Sequence, residues 1–216
     1  MKEENNNEKT FNKPLIYAIC GVALLIVTIA GSAYAYFTAT TSNTTGIQGN
    51  TLDVKMSIAS VTRVSKGTGD LIPIHDGTVS GHDSQLSTAT NSTNDCVDKK
   101  GYTVCQIYQV VINNAGANAT TVDTSITLSS TSTDIKWAKM SARNTFNSTL
   151  PTNNYLAQSV ALPAKSGSTN GSVTQYFVVY LKNTGADQTS ADSGKSFTGT
   201  VTVTASTGAQ IEATFS

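Results

Sequence analysis

The side chains of this chain best suited to chemistry are few and lie close together. Its two histidines stand in the run Ile74-His75-Asp76-Gly77-Thr78-Val79-Ser80-Gly81-His82-Asp83. A carboxylate beside an imidazole can orient it as a metal ligand, so the doubled His-Asp step makes His75 and His82 weak candidates for a metal site. The plainer reading of the same residues is a polar loop. Asp70, Asp76, Asp83, Asp95 and Asp98 fall in the same region. Their spacing matches no EF-hand, and loop carboxylates are ordinarily solvated. Neither HExxH nor G-x-S-x-G occurs, so helix-borne zinc proteolysis and nucleophile-elbow hydrolysis have no motif here. The expectation is no catalytic residue, no cofactor and no enzyme.

The cysteines carry a stronger signal. There are three. Cys20 lies in an apolar run near the start and would leave with it if that run is removed. Cys96 and Cys105 flank CVDKKGYTVC, where Lys100-Gly101 reads as a tight turn. A hairpin there brings the two Cα atoms near enough for a disulfide. Two unpaired thiols is the alternative. No further Cys or His stands nearby at zinc-ligand spacing.

Composition narrows the class. Lys+Arg and Asp+Glu are both 14, so the net charge is zero. Binding phosphates needs a clustered excess of cations, so no nucleic-acid partner is expected. Only 13% of the residues are charged, about half the usual share. Ser, Thr and Asn take their place, and a surface of hydroxyls and amides repels its own copies poorly. Residues 1–14 are polar with Lys2, Lys9 and Lys13, Leu15 to Ala30 is continuously apolar, and Ala33-Tyr34-Ala35 follows. That is the order of a secretory signal, with a cut expected between Ala35 and Tyr36. Leu15 to Phe37 holds no charge, so an uncleaved membrane anchor is the rival reading. Either way the rest is expected outside the cell, secreted or at the surface, with the membrane touched only through 1–35. Asn43, Asn91, Asn118 and Asn147 stand in Asn-x-Ser/Thr sequons, which arise often by chance in so Thr-rich a chain.

The elements that must position these residues are strands. TLDVKMSIAS sets Leu52, Val54, Met56 and Ile58 on one face, and QIYQVVIN sets Tyr108, Val110 and Ile112 on one face. TVDTSITL, IKWAKMSA, TQYFVVYLKN, SFTGTVTVTAS and AQIEATF are further β-rich runs between Gly, Asn, Asp and Ser punctuators. About eight to ten strands joined by turns predict an all-β, two-sheet antiparallel sandwich over 51–216. Its expected core includes Leu52, Val54, Val110, Trp137, Phe177, Val179, Leu181, Val201 and Val203. YQVVINNAGAN and FVVYLKNTGAD echo each other and read as equivalent strand ends in two sheets. Residues from about 65 to 95 are poor in strand signal and read as an irregular insertion.

Residues 36–50 read as an arm before the sandwich, the alternative being that 36–49 is a frayed or self-inserted terminus. Tyr36, Phe37, Thr38, Ala39, Thr40 and Thr41 are β-formers without charge or proline, and Gly46 and Gly49 offer a hinge. Such a strand can leave its own domain and add to another sheet edge.

The stretch YAYFTATTSNTTGIQGNTLDV resembles the mature start of TasA and camelysin-type proteins. The matching positions are Ala35, Tyr36, Phe37, Ile47, Gly49, Thr51, Leu52, Asp53 and Val54. The chain departs from the pattern at Ile47, where Phe is common, and at Asn50. LKNTG and GKSFTGTVTV are similar to later strands of the family. The resemblance implies a jelly-roll sandwich behind an N-terminal signal or transmembrane helix. It implies export through a dedicated signal peptidase and head-to-tail self-assembly into biofilm-matrix fibres. In such fibres the mature N-terminus of one subunit completes the sheet of the next, and an accessory protein can nucleate growth. Some members carry a metalloprotease label, which the residues here do not support. The alternatives are a monomeric adhesin or glycan-binding sandwich, with Tyr102 and Tyr155 as its exposed aromatics, and a secreted metalloprotease.

Overall fold

The computed structural model describes residues 54–146, 150–185 and 195–216. These belong to one compact unit, Asn43–Ser216. Residues 1–35 with their cleavage step, the arm at 36–50 and Leu52 lie outside the described residues.

Each alternating run yields a strand, the first of them from Met56 onward. Among the described residues the strands are β1 (Met56–Arg63), β2 (Cys105–Asn114), β3 (Thr120–Ser130), β4 (Ile135–Ala142), β5 (Thr145–Phe146), β6 (Tyr155–Leu162), β7 (Gly171–Leu181), β8 (Phe197–Ala205) and β9 (Gln210–Phe215). A one-turn helix, α1 (Leu86–Thr90), joins them. One sheet runs β1-β2-β7-β4-β5 and the other β6-β3-β8-β9. Every ladder is antiparallel. Setting the two-residue β5 aside, successive strands from β2 to β8 alternate between the sheets.

Between the sheets lies an aromatic cluster. Tyr108 stacks on Phe177 with ring centres 5.2 Å apart, and Phe215 meets both at 4.9 Å. Phe215 can reach in because Gly199 faces it. A Cβ at position 199 would lie 2.2 Å from the phenyl ring, so here a glycine in a strand marks a close approach. Val110, Phe177, Val179, Leu181, Val201 and Val203 are buried as expected. Trp137 and Val54 are not: they are half-buried and pack against the rim of the core. Trp137 sits on β4, near the sheet margin, and meets Phe177 edge-on at 6.5 Å.

A second apolar layer covers the outside of the five-stranded sheet. Cys105, Ile107, Ala138, Met140, Val178 and Tyr180 point outward and are buried under Ile74, Leu86, Ala89, Cys96 and Val104. The stretch read as an insertion therefore supplies the cover of this face. It carries α1, which five residues are too few to announce by a 3.6-residue period.

The echoed stretches are corrected. They end β2 and β7, which are antiparallel neighbours in one sheet, so their turns lie at opposite ends of that sheet rather than in two sheets. The likeness is local chemistry: Gly116 N–H donates to Asn114 Oδ1 at 2.9 Å, and Gly185 N–H to Asn183 Oδ1 at 2.8 Å.

Phe177 touches three other rings, so its truncation should leave a cavity. Phe177→Ala is expected to lower stability by about 3–5 kcal/mol in urea unfolding followed by fluorescence. A loss below about 1 kcal/mol would mean that the cluster does not hold the sheets together.

Candidate functional site

Chemistry-bearing residues gather on the cover of the five-stranded sheet. Cys96 and Cys105 form a disulfide there, with Cα atoms 4.8 Å apart. The turn between them is built by Asp98. Its carbonyl accepts the Gly101 N–H at 3.1 Å, and its carboxylate accepts Lys100 and Tyr102 N–H groups at 2.8 Å. Gly101 takes φ +87°, which only glycine adopts freely. Asp95 and Cys96 also sit in the left-handed region, at φ 47° and 69°, each at a cost of roughly 1–2 kcal/mol. The disulfide and the Asp95–Arg143 ion pair at 3.2 Å hold them there. Arg143 reaches this point from the end of β4 and also donates to the Val64 carbonyl at 2.6 Å.

Asp76 is the most constrained carboxylate. It accepts the Thr78 hydroxyl at 2.6 Å, the Thr78 N–H at 3.0 Å and the Tyr180 hydroxyl at 3.1 Å. Lys182 Nζ stands 3.8 Å away. Burial pushes the carboxyl up, but the Thr78 and Tyr180 hydrogen bonds and Lys182 outweigh it and hold Asp76 below its ordinary value. Burial, then the Asp76 charge and hydrogen bond, push the Tyr180 phenol well above its usual value. On the other side of the sheet, burial raises Tyr108 to about 12 against the opposing charge of Arg63. Its hydroxyl donates to Gln106 Oε1 at 2.8 Å.

The two histidines do meet. Their rings stack face to face at 4.2 Å, within 2° of parallel. Stacked rings send their in-plane lone pairs side by side, whereas tetrahedral coordination needs them to converge. Among the described residues no group of three or more His, Cys, Asp or Glu side chains gathers as a metal set. Asp76, Asp95 and Asp98 are occupied by the contacts above and serve as structural scaffolding, while Asp70 and Asp83 are exposed. Of the sequons, Asn91 spends its Oδ1 on the Thr93 and Asn94 N–H groups, and Asn118 is exposed. Asn43 and Asn147 lie outside the described residues. Among the described residues, Tyr102 and Tyr155 are the exposed large apolar side chains, at 56% and 38%.

The sheet margins differ in a way that sequence reading missed. β1 is broken by a register shift between Ile58 and Ser60 and ends on Arg63. β6 shifts register twice against β3 and places Ser159 at φ 52°. β5 has two residues. β9 alone of the four runs in unbroken register, from Gly199↔Phe215 to Thr204↔Gln210. It carries no Lys, Arg or Pro, and its one charge, Glu212, accepts from Thr202 and Gln210 side chains at 3.2 and 3.1 Å. Among the described residues β9 is paired on one side only. It lies against β1 of the other sheet, and Val54, Ile58, Val61 and Ile211 there are only partly buried. The lack of Lys, Arg and Pro in AQIEATF was the signal available in the sequence.

No family model, no curated protein and no solved structure matches this chain.

Two outcomes test this region. Mass spectrometry of the unreduced protein should show two hydrogens fewer for Cys96 and Cys105, and replacing both by Ala should cost about 2–3 kcal/mol. Two free thiols would remove the staple. Asp76 takes up a proton less readily folded than unfolded, so its stabilisation is complete above the ordinary carboxylate value. It is lost as pH falls through the lowered one. Between about pH 6 and pH 2, thermal melts of the wild type should therefore fall more steeply than those of Asp76→Asn. Parallel curves would assign the acid sensitivity to other groups.

Proposed function

We propose that this protein is an extracellular structural subunit without catalytic activity. It polymerises by donating Tyr36–Thr41 of one copy to the sheet edge of the next. The observation that supports this reading is β9, a regular edge strand that lacks the devices by which edges usually resist strand addition. A strand added there extends the β6-β3-β8-β9 sheet. Phe37 and Ala39, on one face of the arm, would cover the half-buried Val54, Ile58, Val61 and Ile211 between β9 and β1. Each new main-chain bond contributes roughly 0.5–1.5 kcal/mol net. An arm binding a distant groove is a heterologous contact, so it propagates into a filament instead of closing.

Processing between Ala35 and Tyr36 by a signal peptidase frees the arm from the apolar run, so assembly waits for export. The disulfide agrees with an oxidising compartment. Assignment to TasA and camelysin-type proteins, and the matrix-fibre role this carries, belong to the same proposal. So does the jelly-roll winding, of which the alternation of successive strands is the part in agreement. A jelly roll also pairs its first strand with its last, and here β1 and β9 face each other from different sheets.

Negative-stain microscopy tests the reading. Protein beginning at Tyr36 should form filaments, and protein beginning at Asn50 should stay monomeric. In the longer protein, Ala213→Lys sets a charge on the inner side of the β9 edge. It should abolish filaments while circular dichroism keeps its β signature. Monomers from both starting points would sink the proposal, as would filaments from both.

A further inference from the structure

The opposite flank of the sandwich is also open, for a different reason. β3 pairs with β8 along Val122–Ser130, but with β6 only along Thr120–Ser125. Beyond Ser125 a loop takes over from β6, and the Ile126 N–H donates to the Asn154 carbonyl at 2.8 Å. Between this loop, β3 and β4 is a cavity of about 350 Å3 lined by Trp137, Thr127, Lys136, Pro151, Asn153 and Asn154 among others. Its volume falls at the small end of the usual range for ligand sites, about 300–1,000 Å3. Trp137 is the only tryptophan of the chain. Phe177, fully buried, meets it edge-on from the core side, and part of its indole remains uncovered on the cavity wall.

We propose that this cavity binds a β-linked, gluco-configured oligosaccharide. A ring of this configuration carries its hydroxyls outward near the ring plane. Its axial hydrogens form an apolar plate on each face, which suits the negative face of an indole. The outward hydroxyls need neutral donors and acceptors at the side of the aromatic, and the Asn153 and Asn154 amides of the lining loop provide them. Asn153 Oδ1 is already engaged by the Tyr155 N–H at 3.1 Å, so this amide presents its NH2 group to a ligand. A single exposed lysine, Lys136, makes the wall poorly suited to an anion, and the amides and hydroxyls make it poorly suited to a wholly apolar ligand. An added strand fits less well, because the Asn154 carbonyl already takes the Ile126 N–H where such a strand would begin. The site lies across the sandwich from β9, so it does not depend on the strand-exchange reading, and a filament could carry one copy per subunit.

The lone tryptophan makes binding visible. The full chain, held in a zwitterionic detergent without a sugar headgroup, would be titrated with cellotriose and with triacetylchitotriose. A saturable change in Trp137 emission is expected for at least one, with half-saturation between about 10 μM and 1 mM. A response to cellotriose alone assigns a plain glucan, and a response to triacetylchitotriose alone an N-acetylated glycan. By calorimetry Trp137→Ala should weaken binding at least about tenfold. Since that change also removes a contact to Phe177, Asn154→Ala in the exposed loop is the second variant, with an expected loss of at least about threefold. No response to either sugar up to about 10 mM would overturn the proposal. So would binding unchanged in Asn154→Ala and in a folded Trp137→Ala, or an emission change given only by the peptide YFTATTSNTT.

Discussion

Strand β7 is the wall on which both halves of the structure rest. Phe177, Val178, Val179, Tyr180 and Leu181 are all buried. Phe177, Val179 and Leu181 point between the sheets, while Val178 and Tyr180 point under the cover. A strand buried on both faces cannot shift by one residue without exchanging the two sets. Phenyl would then face the cover, and the Tyr180 hydroxyl would enter the aromatic core. The hydroxyl has its partner, Asp76, on the cover side only. One polar atom in an apolar run thus fixes the register of the central strand, and with it that of β2 and β4 on either side.

How far the fold could be read from sequence follows from where each element finds its partners. β3 and β8 bury every second residue, so their alternation was legible. The disulfide was legible because its turn is local. The cover was not, because long-range bonds hold it: Ile72 N–H to the Thr103 carbonyl, Ile74 N–H to Leu181 and Asn183 N–H to Ile74, each at 2.9 Å. Nothing in the run around Ile72-Pro73-Ile74 announces those partners. The echoed Asn-x-Gly ends misled for the converse reason. An Asn side chain bonded two residues ahead is complete in itself and carries no information about which sheet it closes. Alternation sets Trp137 on the inner face, and it does pack against the core, but a large side chain next to the sheet margin is anchored at one edge and open at another.

On the cover, committed hydrogen bonds distinguish scaffold from site. The run of aspartates and histidines looked like the place for chemistry because its residue types are reactive. Asp76 serves Thr78, Tyr180 and Lys182, Asp95 serves Arg143, and Asp98 serves its own turn. A carboxylate with its lone pairs so committed has little left for a substrate. The residues with uncommitted surface are less reactive in type, namely an edge strand and a half-covered indole. Both suit association better than bond-breaking.

The edges differ in what they would accept. β1 and β6 carry register shifts, and β5 is too short to template a strand, so three of the four margins discourage pairing. If two copies met edge to edge through β9, the contact would be isologous and would end at a dimer. In the register of fullest overlap, an antiparallel β9–β9 pair would lay Glu212 of each copy near its symmetry mate, where like charges oppose. An arm with no charge meets no such penalty. The single carboxylate on β9 thus makes a neutral strand a better partner for this edge than a second β9 in that register, and a neutral strand from a distant part of the chain would leave one donor and one acceptor unused at each step.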